Sequence, residues 1–120
     1  MRLASWFLMG RHASDALCAA FEKAISLVSE QVLRERMHAV LSVDVSEKLK
    51  RLHLPILYLR GIEDRVVPRF AAELICDLAP HTHLVDLAGP HCLLQAVPVE
   101  AAVVVGRFSR EAGANQRLQA

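Results

Sequence analysis

The stretch PILYLRGIEDRVVP, residues 55–68, decides how this chain is organised. It continues an unbroken apolar run over residues 54–59, which is typical of a β-strand buried on both faces. Gly61 ends the run, Asp64 lies in the polar turn that follows, and Pro68 suits the first turn of a helix. The pattern therefore predicts a strand, a polar turn and a helix in direct succession.

A second stretch, LVDLAGPHCLLQAVP at residues 84–98, repeats this pattern with His91 where the acid stood. It predicts a strand over residues 83–87 and a last helix that starts at Pro98. Between the two strands, apolar residues spaced for a helix continue to about Pro80. Strand, helix, strand and helix in this order predict a right-handed β-α-β unit with parallel strands.

The residues ahead of this unit have a helical period. Apolar residues recur at steps of three and four over 13–28, and again over 32–41 after Ser29, which can cap a second helix. We expect these two helices to form a hairpin. Asp44 and Glu47 resemble a capping box and predict a short helix before the first strand.

Composition limits the classes of function. A chain of 120 residues with 53% hydrophobic content suits one domain with its own core. Fourteen basic and thirteen acidic residues give a net charge of +1 without a polybasic cluster, a balance that does not favour nucleic-acid binding. No segment approaches the roughly 20 apolar residues of a membrane span. Small or apolar partners are the expectation.

The opening residues and the cysteines bear on where the protein is located, and the last residues bear on how well the end of the chain is ordered. The opening residues 1–13 lack a small-x-small cleavage site, so a signal peptide is not expected. Cys18, Cys76 and Cys92 form an odd set without C-x-x-C spacing, which favours reduced thiols in a cytoplasmic protein. The polar tail, residues 111–120, is expected to be frayed.

Asp64 and His91 follow the carboxyl ends of two neighbouring parallel strands. Functional groups gather at this edge of open parallel sheets, and adjacent strands lie about 4.8 Å apart, so we expect the two side chains to come within hydrogen-bond reach. An aspartate that accepts from one imidazole nitrogen leaves the other nitrogen free as a general base toward a hydroxyl. Such a pair needs no metal and no cofactor.

The two stretches closely resemble the last two strands of α/β-hydrolases. In that family the acid lies in a G-x-x-D-x-x-V-P turn after the penultimate strand, and the histidine lies in a G-P-H turn after the last. The resemblance implies an α/β fold in which residues 1–43 are a helical lid segment and residues 44–120 are the carboxyl-terminal β-α-β-α part. It implies that Asp64 is the triad acid and His91 the triad base. The implied activity is Ser-His-Asp hydrolysis of a small-molecule ester or amide, without a cofactor.

The chain departs from that family at the nucleophile. None of its seven serines has glycines two positions away on both sides, so the G-x-S-x-G elbow is missing, and the oxyanion-hole loop of the early strands is missing too. We therefore interpret the chain as the carboxyl-terminal part of such a hydrolase, a fragment, a truncated gene product or a degenerate relative, inactive in triad chemistry by itself. Dehalogenation or epoxide hydrolysis remains open, since these activities differ at the nucleophile.

A sheet of two continuous apolar strands leaves its edges and faces uncovered. Such sheets normally need neighbouring strands and helices. We therefore expect a complementing chain or a homo-oligomer that pairs the strand edges. The competing hypothesis is a non-catalytic module that binds another protein or itself.

Other residues offer competing site chemistry. Glu63 is the nearest rival acid, although the resemblance favours Asp64, and an exposed loop acid is the plain alternative. Cys92 beside His91 suggests a Cys-His nucleophile pair, against an inert buried thiol. His81 and His83, with His91 or Asp86, suggest a metal site, against exposed histidines at the end of a strand.

The apolar residues 6–9 also have two interpretations. They could line an acyl pocket under a lid, or they could be a hydrophobic end that is exposed because neighbouring strands are missing.

Overall fold

A computed structural model of the chain describes residues 2–118, with the backbone alone at residues 2, 3, 5 and 115–118. The architecture is mixed α/β. The α-helices are α1 (Arg2–Met9), α2 (Asp15–Ser26), α3 (Glu30–Ser42), α4 (Ser46–Lys50), α5 (Arg69–Leu78), α6 (Leu93–Ala96) and α7 (Pro98–Leu118). The strands are β1 (Ile56–Gly61) and β2 (Thr82–Leu87), and a 3-10 turn at Gly10–His12 joins α1 to α2.

The two strands pair in parallel, with Ile56 opposite Thr82 and Gly61 opposite Leu87. Helix α5 connects them, so the predicted order of strand, helix, strand and helix and the parallel pairing are confirmed. β1 starts after Pro55, which has no N–H to give to a ladder. Across the pair, the guanidinium of Arg60 donates to both carboxylate oxygens of Asp86, at 2.7 and 2.6 Å.

Burial of β1 differs from the doubly buried strand that its apolar run predicts, and it agrees with the uncovered faces expected of a two-stranded sheet. Every residue of this strand is partly exposed rather than buried on both faces, because β2 is its only neighbouring strand among the described residues. The sequence pattern indicates which faces of a strand can be buried, whereas the burial reached depends on the neighbouring strands and helices. The described core is small, and its buried hydrophobic residues are Met9, Ala72, Ala79, Leu93 and Ala101.

Much apolar surface stays open. The accessible area is 9165 Å², whereas a compact protein of this mass exposes about 6,500 Å². The radius of gyration is 16.7 Å, against about 13.6 Å for a compact chain of this length. On α3 the exposed apolar side chains include Met37 at 61% and Leu41 at 80%. The fold therefore leaves more apolar surface in water than its size requires.

The predicted helices of the amino-terminal half are present. α2 starts after Ser14, whose hydroxyl accepts from the Leu17 amide at 3.2 Å, and Ser29 caps α3 in the same way. The predicted cap at Ser29 is thus confirmed. No side chain of α2 or α3 is buried and the two helices do not pack along each other, so the prediction of a packed hairpin is wrong.

Three details correct the sequence-based expectations. Residues 111–118 of the tail expected to be frayed are helical, and residues 119–120 lie outside the described residues. An Arg107–Glu111 pair at 2.8 Å stabilises the start of this segment. Helix α1 was not predicted. At α4, Asp44 accepts from the Ser46 amide at 2.9 Å, but Val45 occupies the cap position. Among the described residues, no helix is both long and apolar enough to cross a membrane.

Candidate functional site

Two glycines bring the loops after β1 and β2 into backbone contact. The Ile62 amide donates to the Leu87 carbonyl and the Glu63 amide donates to the Gly89 carbonyl, both at 3.0 Å. A Cβ on Gly61 would lie 2.5 Å from the Gly89 oxygen, and one on Gly89 would lie 2.6 Å from Leu93 Cδ1. Gly61 therefore permits an approach of the two backbones that a side chain would prevent, whereas at Gly89 the obstacle is the end of the Leu93 side chain.

The first of these loops holds Asp64 in a tight turn. The Asp64 amide donates to the Gly61 carbonyl at 3.1 Å. Its Oδ1 atom accepts from the amides of Val66 at 2.7 Å and Val67 at 3.0 Å. This is the common structural use of aspartate in a turn. It occupies one carboxylate oxygen and leaves Oδ2 available.

That second oxygen meets His91. Asp64 Oδ2 lies 3.0 Å from His91 Nδ1, so the predicted hydrogen-bond contact between the two residues is confirmed. A carboxylate can only accept, so Nδ1 carries the proton and Nε2 of the neutral ring keeps its lone pair. The Asp64 side chain is 13% exposed and that of His91 is 36% exposed. A sheltered acid thus orients an imidazole that solvent can reach.

Electrostatics keep this acid ionised. Burial raises the pKa of Asp64, but hydrogen bonds from the Val67 and Val66 amides, together with His91, outweigh it and hold that pKa below its ordinary value. A carboxylate that stays charged can stabilise an imidazolium beside it. Nε2 is therefore the atom of the pair that is left to act as a base.

The rival acid points elsewhere. Glu63 Oε1 lies 2.5 Å from the guanidinium nitrogen Nη2 of Arg11 and 3.7 Å from His12 Nε2. Asp64, not Glu63, therefore pairs with His91. Sequence reasoning missed Arg11 and His12, and no spacing signal links them to a residue some fifty positions later.

Cys92 does not form a nucleophile pair with His91. Burial, with a smaller contribution from the Asp64 charge, raises the pKa of the Cys92 thiol. A reactive cysteine needs the opposite, an environment that lowers its pKa. The thiol is therefore protonated at neutral pH.

The histidines considered as metal ligands do not form a metal site with the other described residues. The His83 ring packs edge-on against Phe108 at 5.5 Å, and Asp86 is engaged by Arg60. Within residues 2–118, no three histidine, cysteine, aspartate or glutamate side chains gather in a geometry that could hold a metal ion.

Among the apolar residues 6–9, Met9 fits the expectation of a pocket lining and Trp6 fits that of an exposed hydrophobic end. Met9 is buried and lines a cavity of about 200 Å³ with Phe21 and Cys92. Trp6 is 55% exposed, and the Arg65 guanidinium lies 4.4 Å from the centre of its ring. Met9 at the end of α1 thus packs near the histidine loop, and Trp6 in the middle of α1 lies beside the acid loop.

A small cavity of about 50 Å³ lies beside the Asp64–His91 pair. It is lined by both residues and by Tyr58–Gly61 of β1. No described serine hydroxyl bonds to His91, and five are bonded to backbone atoms near their own helices instead: Ser14, Ser26, Ser29, Ser42 and Ser109. A larger cavity, about 330 Å³, lies away from the pair between the sheet and α7.

The chain matches no family model, no curated protein and no solved structure. The chemistry open to the site follows from its own geometry: a charged carboxylate, a partly exposed imidazole and a small cavity beside them.

Proposed function

We propose that this chain supplies the acid and the histidine of a Ser-His-Asp hydrolase triad in an α/β-hydrolase-like fold. The observation that carries the proposal is the 3.0 Å contact between Asp64 Oδ2 and His91 Nδ1. Three further features support it. The acid is sheltered, its charge is maintained, and the imidazole is reachable from solvent.

In this reaction Asp64 holds the Nδ1–H of His91, and Nε2 takes the proton of a serine hydroxyl as its oxygen attacks the carbonyl carbon of an ester or amide. The imidazolium, stabilised by Asp64, then gives that proton to the leaving alcohol or amine as its bond to the carbonyl breaks. Water repeats the two proton transfers to release the acid and restore the serine. No cofactor takes part.

The serine is proposed to come from another polypeptide segment, encoded ahead of Met1 or carried by a complementing chain. The missing G-x-S-x-G motif and the cavity along β1 support this arrangement. So does the large exposed apolar area, because more strands and helices would cover it.

Ester hydrolysis by the chain alone gives the first test. With p-nitrophenyl esters we expect no turnover beyond that of the His91→Ala variant, because the covalent step needs the absent nucleophile. Robust turnover that disappears in His91→Ala would place the nucleophile within this chain and overturn the proposed division.

The complete enzyme gives the second test. Where the DNA ahead of Met1 encodes an in-frame G-x-S-x-G segment, the joined protein should hydrolyse these esters. His91→Ala should abolish that activity, and Asp64→Asn should lower kcat about 10⁴-fold because the imidazole loses its orienting partner. Turnover that neither substitution changes would show that the pair is not part of the triad.

A second candidate function is a self-associating module without catalysis. The exposed apolar side chains of α3 favour it, above all Met37 and Leu41. Size-exclusion chromatography with light scattering should then give a folded, monodisperse oligomer that Leu41→Asp dissociates. Leu27, which is 79% exposed outside α3, is the matched control position. A folded monomer would remove this candidate.

A further inference from the structure

Residues 6–12, named here the strap, run from α1 into the 3-10 turn and contact both loops of the candidate site. On the histidine loop, the Cys92 amide donates to the Leu8 carbonyl at 3.4 Å. On the acid loop, Trp6 stacks under Arg65, and Arg11 pairs with Glu63. The strap therefore contacts two loops that are separated in sequence by α5 and β2.

Glu63 belongs to the acid loop and bonds both to the strap and to the residues ahead of His91. Its amide donates to the Gly89 carbonyl, two residues before His91, and its side chain accepts from Arg11. The next residue in the chain is Asp64. A displacement of Glu63 would thus change the distance between the acid and the imidazole.

We propose that Arg11 is a positioning residue, which acts through Glu63 to hold the Asp64 loop against the His91 loop. The inference rests on the proposed function, since it assigns a role to Arg11 in that same pair. Arg11 touches neither Asp64 nor His91 in a hydrogen bond, so its effect is transmitted through the loop backbone.

The span of this ion pair distinguishes it from the other pairs of the surface. Arg34 and Glu30 lie one turn apart on α3, at 2.7 Å, and both are well exposed. Such a pair acts within its own helix. Arg11 and Glu63 are 52 positions apart; the Arg11 side chain is 71% exposed, but that of Glu63 is only 29% exposed. Their contact therefore fixes one segment relative to another.

His12 adds a second basic group from the strap. Its Nε2 atom is buried, has no hydrogen-bond partner among the described residues and lies 3.7 Å from the same Glu63 oxygen. The basic side chains around Glu63 are thus Arg11 and His12, with Arg65 two positions farther along the acid loop. Two basic residues of the strap aimed at one carboxylate favour a positional role for that carboxylate.

Nitrogen-15 NMR of the His91 ring tests the proposal without any activity assay. The Asp64 contact selects the Nδ1–H form of the neutral ring. Arg11→Ala should shift His91 toward the Nε2–H form, and Arg11→Lys should restore most of the Nδ1–H population. Arg34→Ala, the matched control, should leave the spectrum unchanged. Equal spectra for native protein and Arg11→Ala would overturn the proposal.

Asp64→Asn separates this inference from the proposed function. If it changes the His91 tautomer while Arg11→Ala does not, the pair stands and only the role of Arg11 is wrong. If Asp64→Asn leaves the tautomer unchanged, the pair itself fails and the proposed function fails with it.

The sign of a second measurement separates position from charge. Glu63→Gln removes a negative charge near Asp64, which by direct electrostatics lowers the pKa of that carboxyl. A loosened loop has the opposite effect, because Asp64 loses the His91 hydrogen bond. We expect the pKa of Asp64 to rise in Glu63→Gln, followed by carbon-13 NMR of its carboxyl group. A fall would show that Glu63 acts through charge alone.

Discussion

Asp64 meets His91 with only one of its two carboxylate oxygens. Oδ2 faces the imidazole, while Oδ1 accepts from the Val66 and Val67 amides of its own turn. One side chain therefore serves two functions, the shape of the loop and the orientation of the histidine, and substitutions can separate them.

Two substitutions of Asp64 should differ in stability. Asp64→Asn keeps an oxygen for the amides of the turn, whereas Asp64→Ala leaves those donors unpaired, at a cost of about 1–3 kcal/mol in the free energy of unfolding. We expect Asp64→Ala to be the less stable variant by about 1 kcal/mol or more in urea unfolding. Equal midpoints would mean that water satisfies the turn equally well.

Stability should fall in acid through Asp64. Its pKa is lowered on folding, so the unfolded chain binds the proton more tightly than the folded chain does. The stabilisation is present above the unfolded pKa of about 3.9 and is lost as the pH falls through the folded value. Urea unfolding measured from about pH 6 to about pH 2 should show that Asp64→Asn loses less stability in acid than the native protein does. Asp77→Asn, at an exposed acid of α5, is the control; the same acid loss in both variants would contradict this assignment.

Gly61→Ala should separate the two loops. The added Cβ would lie 2.5 Å from the Gly89 carbonyl oxygen, which is backbone and cannot rotate away. We expect a loss of about 1–3 kcal/mol in the free energy of unfolding and loss of the His91 Nδ1–H signal in NMR.

Gly113→Ala is the matched control for that change. Gly113 lies within α7, and a Cβ there meets nothing within 4 Å. Alanine should stabilise that helix by about 0.5–1 kcal/mol. If Gly61→Ala behaved like Gly113→Ala, the close approach of the two loops would be wrong.

Cys92 should report on the charge of Asp64. Burial, and then the Asp64 carboxylate, raises the pKa of its thiol, so the thiolate is scarce at neutral pH. In a background with Cys18→Ser and Cys76→Ser, Asp64→Asn should increase the rate at which Cys92 reacts with a disulfide reagent. The Arg34→Ala variant in that background controls for general loosening. An unchanged rate in Asp64→Asn would separate Cys92 from the acid.

The parts of this site that follow from sequence are those fixed by local chemistry. Gly61 and Pro68 bound the acid turn, and the apolar runs before each turn predict parallel strands whose ends meet. Asp64 and His91 could therefore be paired in advance. Arg11 could not, because its partnership with Glu63 depends on how α1 folds back over the loops, and no periodicity records that. The exposure of β1 follows from the number of strands and not from its apolar run, since burial depends on neighbouring strands.

The bidentate pair between Arg60 and Asp86 has a consequence for alignment along the sheet. It links the two strands just before both loops, where Arg60 and Asp86 lie directly opposite each other in the register. If one strand slid by a single residue, this match would be broken and the acid would move about 3.3 Å along the strand direction. That is more than a hydrogen bond can stretch, so the cross-strand ion pair favours the one register in which Asp64 meets His91.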